Sequence, residues 1–355
     1  TNANDCPSMF FYLVENLQSF RFTNKSKIPS ILQKKISKSL YLTKNFNTKY
    51  QKSQKPNTKP KRNKKTKSNA SVPPLFNCTG NVKVVDHQKA DLLNSYFKSS
   101  FISDNLSVPK FTHPTTVPSK SDTENNKLHT VYFTPELVKL KIKKIKSTGA
   151  CGCDGISASF LKNLVNSVCV PLSLLFNLSM SSGSVPKAWK YAIVVPIPKK
   201  GKSTDPANYR PISLTPIVSK IMESIIKDSI VFHCSSLNLI SSCQHAFLPH
   251  RSANLQLISY IDTVMASRSN GVQTDSIYLD FKKAFDSVVH SKLIFKLSTF
   301  GLCGNLLNWI NSFLSERFQT VRVGKSYSAW ANVLSGVAQG SVLGPLLFIL
   351  FINDL

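Results

Sequence analysis

A chain of 355 residues with 42% hydrophobic content can bury a sizeable core and hold two or more structural units, which excludes a chain disordered throughout. Lysine and arginine outnumber aspartate and glutamate 45 to 18, yet 17 of the basic residues and no acid fall between Asn16 and Val85. Such a basic stretch suits a polyanion, and it equally suits a solvated tail. The apolar runs MFFYLV and LLFILFI are both too short for a membrane span, and the start does not look like a secretory signal, since Asp5 and Glu15 flank its apolar patch and no small-residue cleavage pattern follows.

Eight cysteines with no CxxC pair and no zinc-type Cys/His spacing read as reduced intracellular thiols. A first residue Thr1 and a last residue Leu355 in an apolar segment suggest part of a longer polypeptide.

Residues 1–70 form a basic leader whose 42–70 stretch is low-complexity Lys/Asn/Thr/Ser and is expected to be disordered. KRNKKTK at 61–67 has the composition of a nuclear-localisation or nucleic-acid patch, which lysine-rich linkers also show. A connector follows at 71–130, with an amphipathic helix over 86–102. From residue 131 organised structure runs without long gaps. Thr134 and Pro135 make an N-cap and first turn, and the helix they open is expected to stop at Gly149. Short helices follow near 157–166 and 171–180, then a strand over 191–197 with KKGK as its turn, and helices over 216–232 and 255–266. A buried strand is expected at 275–280, helices near 291–300 and 304–316, a hairpin of QTVRVG with YSAWANVL, and an apolar helix from about 342. Interleaved strands and helices indicate an α+β or α/β fold.

Three stretches invite a chemical reading. Asp280 ends the expected strand, where α/β folds collect ligands and metals, although an acid there also caps a following helical turn. In NYRPISL, at 208–214, Arg210 precedes a proline that fixes the backbone, a rigid mount for a phosphate-binding guanidinium or a plain surface turn. In SGVAQGSVLGPLLF, at 335–348, three glycines and the polar Gln339 lead into an apolar helix. The backbone near Gln339 and Gly340 could there be approached closely by a ligand, or could simply hinge.

Together with WKYAIVVPIPKKGKSTDPANYRPISLTPIVSKIMESII, QHAFLPHRSANLQL and YLDFKKAFDSVVHSKLIFKL, these stretches resemble the reverse transcriptases of non-LTR, LINE-type retrotransposons over residues 131–355. The resemblance implies an α+β right-hand polymerase, here its fingers and an incomplete palm. It implies that Asp280 is the catalytic carboxylate and a metal ligand, with the Phe281 carbonyl as a further ligand to one of two Mg²⁺ ions. It gives Phe285 the place of a ring against the sugar that selects deoxynucleotides. It further gives Arg210 and Lys199 the triphosphate, and Gln339 and Gly340 the support of nucleotide and template. Asp286 is expected to cap or orient locally, and Asp354 to hold no metal.

The implied partners are an RNA template, a DNA primer or target DNA, and deoxynucleoside triphosphates, in an intracellular nuclear or cytoplasmic ribonucleoprotein with no membrane. Departures from the family pattern are Ala338 for proline, Gly152-Cys-Asp-Gly155 for Gly-Pro-Asp-Gly, and Ala246-Phe247-Leu248 for Gly-Phe-Arg; the last removes a possible backbone-phosphate contact. The family's paired aspartates are expected beyond Leu355, together with the thumb, so this chain is expected not to polymerise DNA. A non-catalytic nucleic-acid-binding remnant and a group II intron maturase-like protein are the alternatives. The reading requires Asp280 to sit near both Arg210 and the turn at Gly340.

Overall fold

The computed structural model describes residues 72–77, 79–103 and 126–354, and the expected leader at 1–70 lies outside the described residues. The described residues open with a hairpin of β1 (Leu75–Phe76) and β2 (Val82–Lys83), then α1 (Asp86–Lys98), α2 (Pro135–Lys144), α3 (Ala158–Asn163) and α4 (Val165–Ser181). Strands β3 (Tyr191–Pro198) and β4 (Tyr209–Leu214) follow, then α5 (Ile217–Ser236), α6 (Ala253–Ser269), α7 (His290–Thr299) and α8 (Gly304–Leu314). The remainder is β5 (Arg317–Val323), β6 (Ser326–Tyr327), β7 (Ala331–Val333) and α9 (Gly344–Phe351).

Local chemistry explains most of these boundaries. The Thr134 hydroxyl accepts from the Leu137 amide at 3.2 Å with Pro135 in the first turn of α2, as the sequence suggests. That helix ends at Lys144, short of Gly149, because Ile145 turns extended at ψ 141°. Pro171 does not separate two helices as expected. It lies inside α4, and the break falls earlier, at Leu164, where φ −102° and ψ 13° leave the helical region. A proline there removes one i→i−4 hydrogen bond.

The sheet runs β4-β3-β5-β6, with β7 also on β5. Strand β3 pairs antiparallel to β4 and parallel to β5, and alternates buried with half-buried residues. Residues 208–214 are therefore no surface turn: Arg210 sits on edge strand β4, opposite Ile197, and Pro211 faces Pro196. The Lys199 amide donates to the Asn208 carbonyl at 2.6 Å, which makes 199/208 a hydrogen-bonded pair. By alternation 196/211 is a non-hydrogen-bonded pair, so neither proline breaks the β3–β4 ladder.

Two apolar clusters fill the structure. The larger is helical, drawn from α2, α4, α5, α7, α8 and α9 and including Phe133, Phe176, Trp309 and Phe313. The smaller lies on the sheet: Leu93 and Phe97 of α1 pack with Leu75 against Val194, Tyr209, Val321 and Val323. Helix α1, expected in a connector, thus forms a layer on the sheet. Among the described residues no helix is long and apolar enough to cross a membrane.

Glu223 of α5 has no solvent exposure. Its carboxylate accepts from the Ser219 hydroxyl at 2.8 Å and from the amides of Val342 and Leu343 at 2.7 and 3.2 Å. A negative group on the free amides at the start of α9 both caps the helix and complements its dipole. Arg317, almost as deeply buried, donates to the Phe313 and Trp189 carbonyls at 3.0 and 3.4 Å; burial lowers its pKa and the Glu223 charge opposes that shift.

The expected strand at 275–280 is absent. Residues 270–282 are irregular and exposed, with Ile277, Tyr278 and Leu279 at 87, 81 and 88%. Helix α6 buries no residue either. The two segments touch each other, Tyr278 donating to Tyr260 at 3.0 Å and Tyr260 meeting Ser276 at 2.6 Å. The physical reason is pairing: a strand needs a neighbour for its backbone groups, and no described residue supplies one here.

Glu223→Ala strips two amides of their buried partner and is expected to cost roughly 3 kcal/mol or more in denaturant unfolding, with Glu223→Gln intermediate. An unchanged midpoint in the alanine variant would contradict the capping role.

Candidate functional site

Three stretches distant in sequence meet along the edge strand β4. The first is β4, whose register leaves the Arg210 guanidinium exposed near the hairpin tip. The tip is ordered by its own side chains: Asp205 accepts from the Ala207 amide at 2.8 Å, Asn208 donates to the Lys202 carbonyl at 2.9 Å, and Tyr209 donates to the Ser203 carbonyl at 2.5 Å. Lys199, also exposed, donates to the Ala207 carbonyl at 3.1 Å.

The second stretch is the turn 336–343. The Ser213 amide of β4 donates to the Gln339 carbonyl at 2.7 Å. Gly340, at φ 124°, lies so close to β4 that a Cβ would fall 2.3 Å from the Ser213 carbonyl oxygen. The absent side chain at Gly340 therefore admits a strand of the protein itself.

The third is the turn at 283–288. Its Phe285 carbonyl accepts from the Val337 amide at 2.8 Å, and its Val288 carbonyl from the Gly336 amide at 2.7 Å. Gly336, at φ 87°, is needed here as well, since a Cβ would stand 2.6 Å from the Phe285 oxygen. The Phe285 ring stacks on Phe348 of α9 at 4.8 Å between centroids and meets the edge of Phe247 at 6.1 Å. Phe247 itself has a left-handed backbone, φ 57°, in a loop held by Arg251, which donates to the Ser241, Ser242 and Gln244 carbonyls.

Asp286 is expected from the sequence to cap or orient locally. It lines a cavity of about 40 Å³ together with Ser213, Arg317, Ser335 and Gln339. Burial raises its pKa, and the positive charges of Lys283 and Lys199 pull the other way. Ser213 and Ser335 gave no signal in sequence, since a serine in a strand or loop looks like any surface serine.

Asp280 is exposed on the irregular segment, and among the described residues it makes no hydrogen bond or ion pair with Arg210 or Gly340. The structure thus brings Arg210, Lys199, Phe285, Gln339 and Gly340 to one region and leaves Asp280 and Phe281 on the exposed arm. No group of three or more His, Cys, Asp or Glu among the described residues could hold a metal ion. Asp354 is engaged elsewhere, by Lys296, which also contacts the Phe351 carbonyl.

The family model for reverse transcriptase (RNA-dependent DNA polymerase) matches residues 197–355, which contain all of these stretches. The chain is 33% identical over 224 residues to a probable RNA-directed DNA polymerase from transposon X-element of Drosophila melanogaster, covering 63% of this chain and 25% of that protein. It is 33% identical over 223 residues to the RNA-directed DNA polymerase from mobile element jockey of the same fly, covering 62% and 24%. It is 29% identical over 212 residues to a Pol polyprotein from the type-1 retrotransposable element R2 of Nasonia vitripennis, covering 58% and 20%. The chain spans about a quarter of the length of the curated relatives it matches. Over residues 197–355 the chain thus carries a reverse transcriptase domain, similar to those of the non-LTR retrotransposon polymerases it matches.

Proposed function

We propose that residues 131–355 are the fingers and an incomplete palm of an RNA-directed DNA polymerase, whose intact form copies an RNA template from a DNA primer or nicked target. One observation carries the reading. Strand β4 with Arg210, the Gln339–Gly340 turn and the Phe285 turn are linked by backbone hydrogen bonds of 2.7 to 2.8 Å although they lie up to about 130 residues apart. A nucleotide site needs such a meeting of a cationic group for phosphates, a flat apolar surface for a sugar and a fixed backbone.

In this reading Arg210 and Lys199 take the triphosphate, the guanidinium by its planar fork and the ammonium as a point charge. The Phe285 ring, fixed between Phe348 and Phe247, faces the sugar and crowds a 2′-hydroxyl. Gln339 and Gly340 border nucleotide and template. Asp280, with the Phe281 carbonyl, supplies oxygen ligands for Mg²⁺ in the intact enzyme, where such ions offset the charge of the transferring phosphate. The described residues do not fit a pair of such ions, because a single exposed carboxylate cannot hold two hard cations. The bare apolar surface of Ile277, Tyr278 and Leu279 and of α6 supports the same view: it is what a palm segment presents before its neighbouring strands cover it.

The chain as it stands is expected to bind RNA through its basic surface and to add no nucleotide. In a template–primer extension assay with Mg²⁺ no incorporation should appear, whereas RNA binding should weaken steeply with salt. Measurable extension would refute the proposed incompleteness, and salt-dependent binding with no nucleotide affinity would favour a purely nucleic-acid-binding remnant. Arg210→Ala should weaken deoxynucleoside triphosphate binding roughly tenfold or more, the worth of a charge-assisted contact at about 1.5–3 kcal/mol.

Asp286 gives a second check through pH. Its folded-state pKa lies above the ordinary 3.8, so the charged carboxylate costs stability at neutral pH and the cost fades as the group protonates. Asp286→Asn is expected to raise the thermal midpoint at pH 7, with the gain shrinking as pH falls through the folded-state value and gone below 3.8. A gain that persisted unchanged at low pH would locate the cost elsewhere.

A further inference from the structure

The segment upstream of residue 131 reaches the candidate site directly. Helix α1 is fixed to the sheet by polar contacts as well as by Leu93 and Phe97: Asn94 donates to the Ala329 carbonyl at 2.8 Å and accepts from Gln319 at 3.1 Å, and Asp91 accepts from the Ala329 amide at 3.1 Å. Beyond its last turn, Phe101 lines the same cavity as Asp286 and Gln339. The next residue, Ile102, donates its amide to the Ser335 hydroxyl at 2.8 Å. That hydroxyl, on a residue only 1% exposed, donates in turn to the Asp286 carbonyl at 2.7 Å. A single buried oxygen therefore joins the strap 97–102, the Phe285–Asp286 turn and the glycine turn.

A second tie runs alongside it. The Lys283 ammonium lies 4.8 Å from the centre of the Tyr96 ring, and the Lys283 carbonyl accepts from the amides of Asp286 and Ser287 at 2.9 and 3.1 Å. Lys283 adopts φ 53°, a conformation that an L-residue keeps only when its surroundings hold it. Both ends of the short turn that carries Phe285 are thus set by α1 and its extension.

We propose that the strap 97–102, acting through the Ser335 hydroxyl and the Tyr96 ring, positions the Phe285 turn and so sets how strictly the site excludes a ribose. Ser335 and Tyr96 are positioning residues, since neither is placed against the nucleotide. The inference rests on the nucleotide-site reading given above and adds to it the segment that tunes sugar selection. Its physical basis is lever length: Phe285 is wedged between two rings, so a small rotation of its backbone changes the space left for one hydroxyl.

The test uses the full chain with Ser335→Ala, Ser335→Thr and Tyr96→Leu. Amide exchange is followed at residues 285–288 and 336–337, and binding of dATP and ATP with Mg²⁺ is measured by equilibrium dialysis. Loss of the hydroxyl should speed exchange at these amides about threefold or more, and lower the preference for dATP over ATP roughly fivefold. Ser335→Thr, which keeps the hydroxyl and has the adjacent cavity for its methyl, should restore both. Tyr96→Leu should move both in the direction of the alanine variant, in a protein that keeps its unfolding midpoint within a few degrees. Nucleotide binding with unchanged sugar preference in Ser335→Ala and Tyr96→Leu overturns this inference and leaves the site reading standing. Binding of neither nucleotide by the unmutated chain overturns both.

Discussion

A carboxylate sealed from water inside a helical core is an expensive group, tolerated only where its oxygens are hydrogen-bonded. Glu223 meets that condition by accepting from Ser219 on its own helix and from the two amides that begin the final turn into α9. Most of the candidate site depends on this interaction. It fixes the turn 336–343 against α5, and from that turn the Gln339 carbonyl reaches β4 while the Val337 and Gly336 amides reach the Phe285 turn. Gly336 and Gly340 are then obligatory for a geometric reason, because backbone of the protein fills the space where their side chains would stand.

Much of the helical scaffold was legible in the sequence because its signals are local. Thr134 with Pro135 marks the start of α2, and the isoleucine spacing of α5 marks its buried face. Tyr191–Pro198 forms the β-branched strand expected, and the glycine-proline step at 344–345 opens α9. The failures share a cause, dependence on a distant partner. Residues 275–280 have strand composition and no strand, since composition supplies a preference and not a neighbour. Residues 208–214 read as a turn because proline is a turn signal, yet an edge position at a non-hydrogen-bonded pair suits proline equally well.

The candidate site was legible in part. Arg210, Lys199, Phe285, Gln339 and Gly340 were found by motif, and they come to one region. Asp280 was found by the same route and lies on the exposed arm, because its local wording specifies a role that only tertiary pairing can realise. Asp286, Ser213 and Ser335 lie within the quoted motifs, but residue type alone gave no site role to the serines and only a local one to Asp286. Their importance lies in what they face, and facing is set by register and by the turn that Glu223 holds. The same is true of α1, whose sequence describes an amphipathic helix and is silent about the sheet it covers.

The proline on β4 has a bearing on how molecules of this chain meet. An outermost strand normally offers its unpaired amides to any passing chain. On β4 the outward positions are Tyr209, Pro211 and Ser213; the first donates to the Pro206 carbonyl, the second has no hydrogen to give, and the third is occupied by Gln339. That border is closed to templated strand addition.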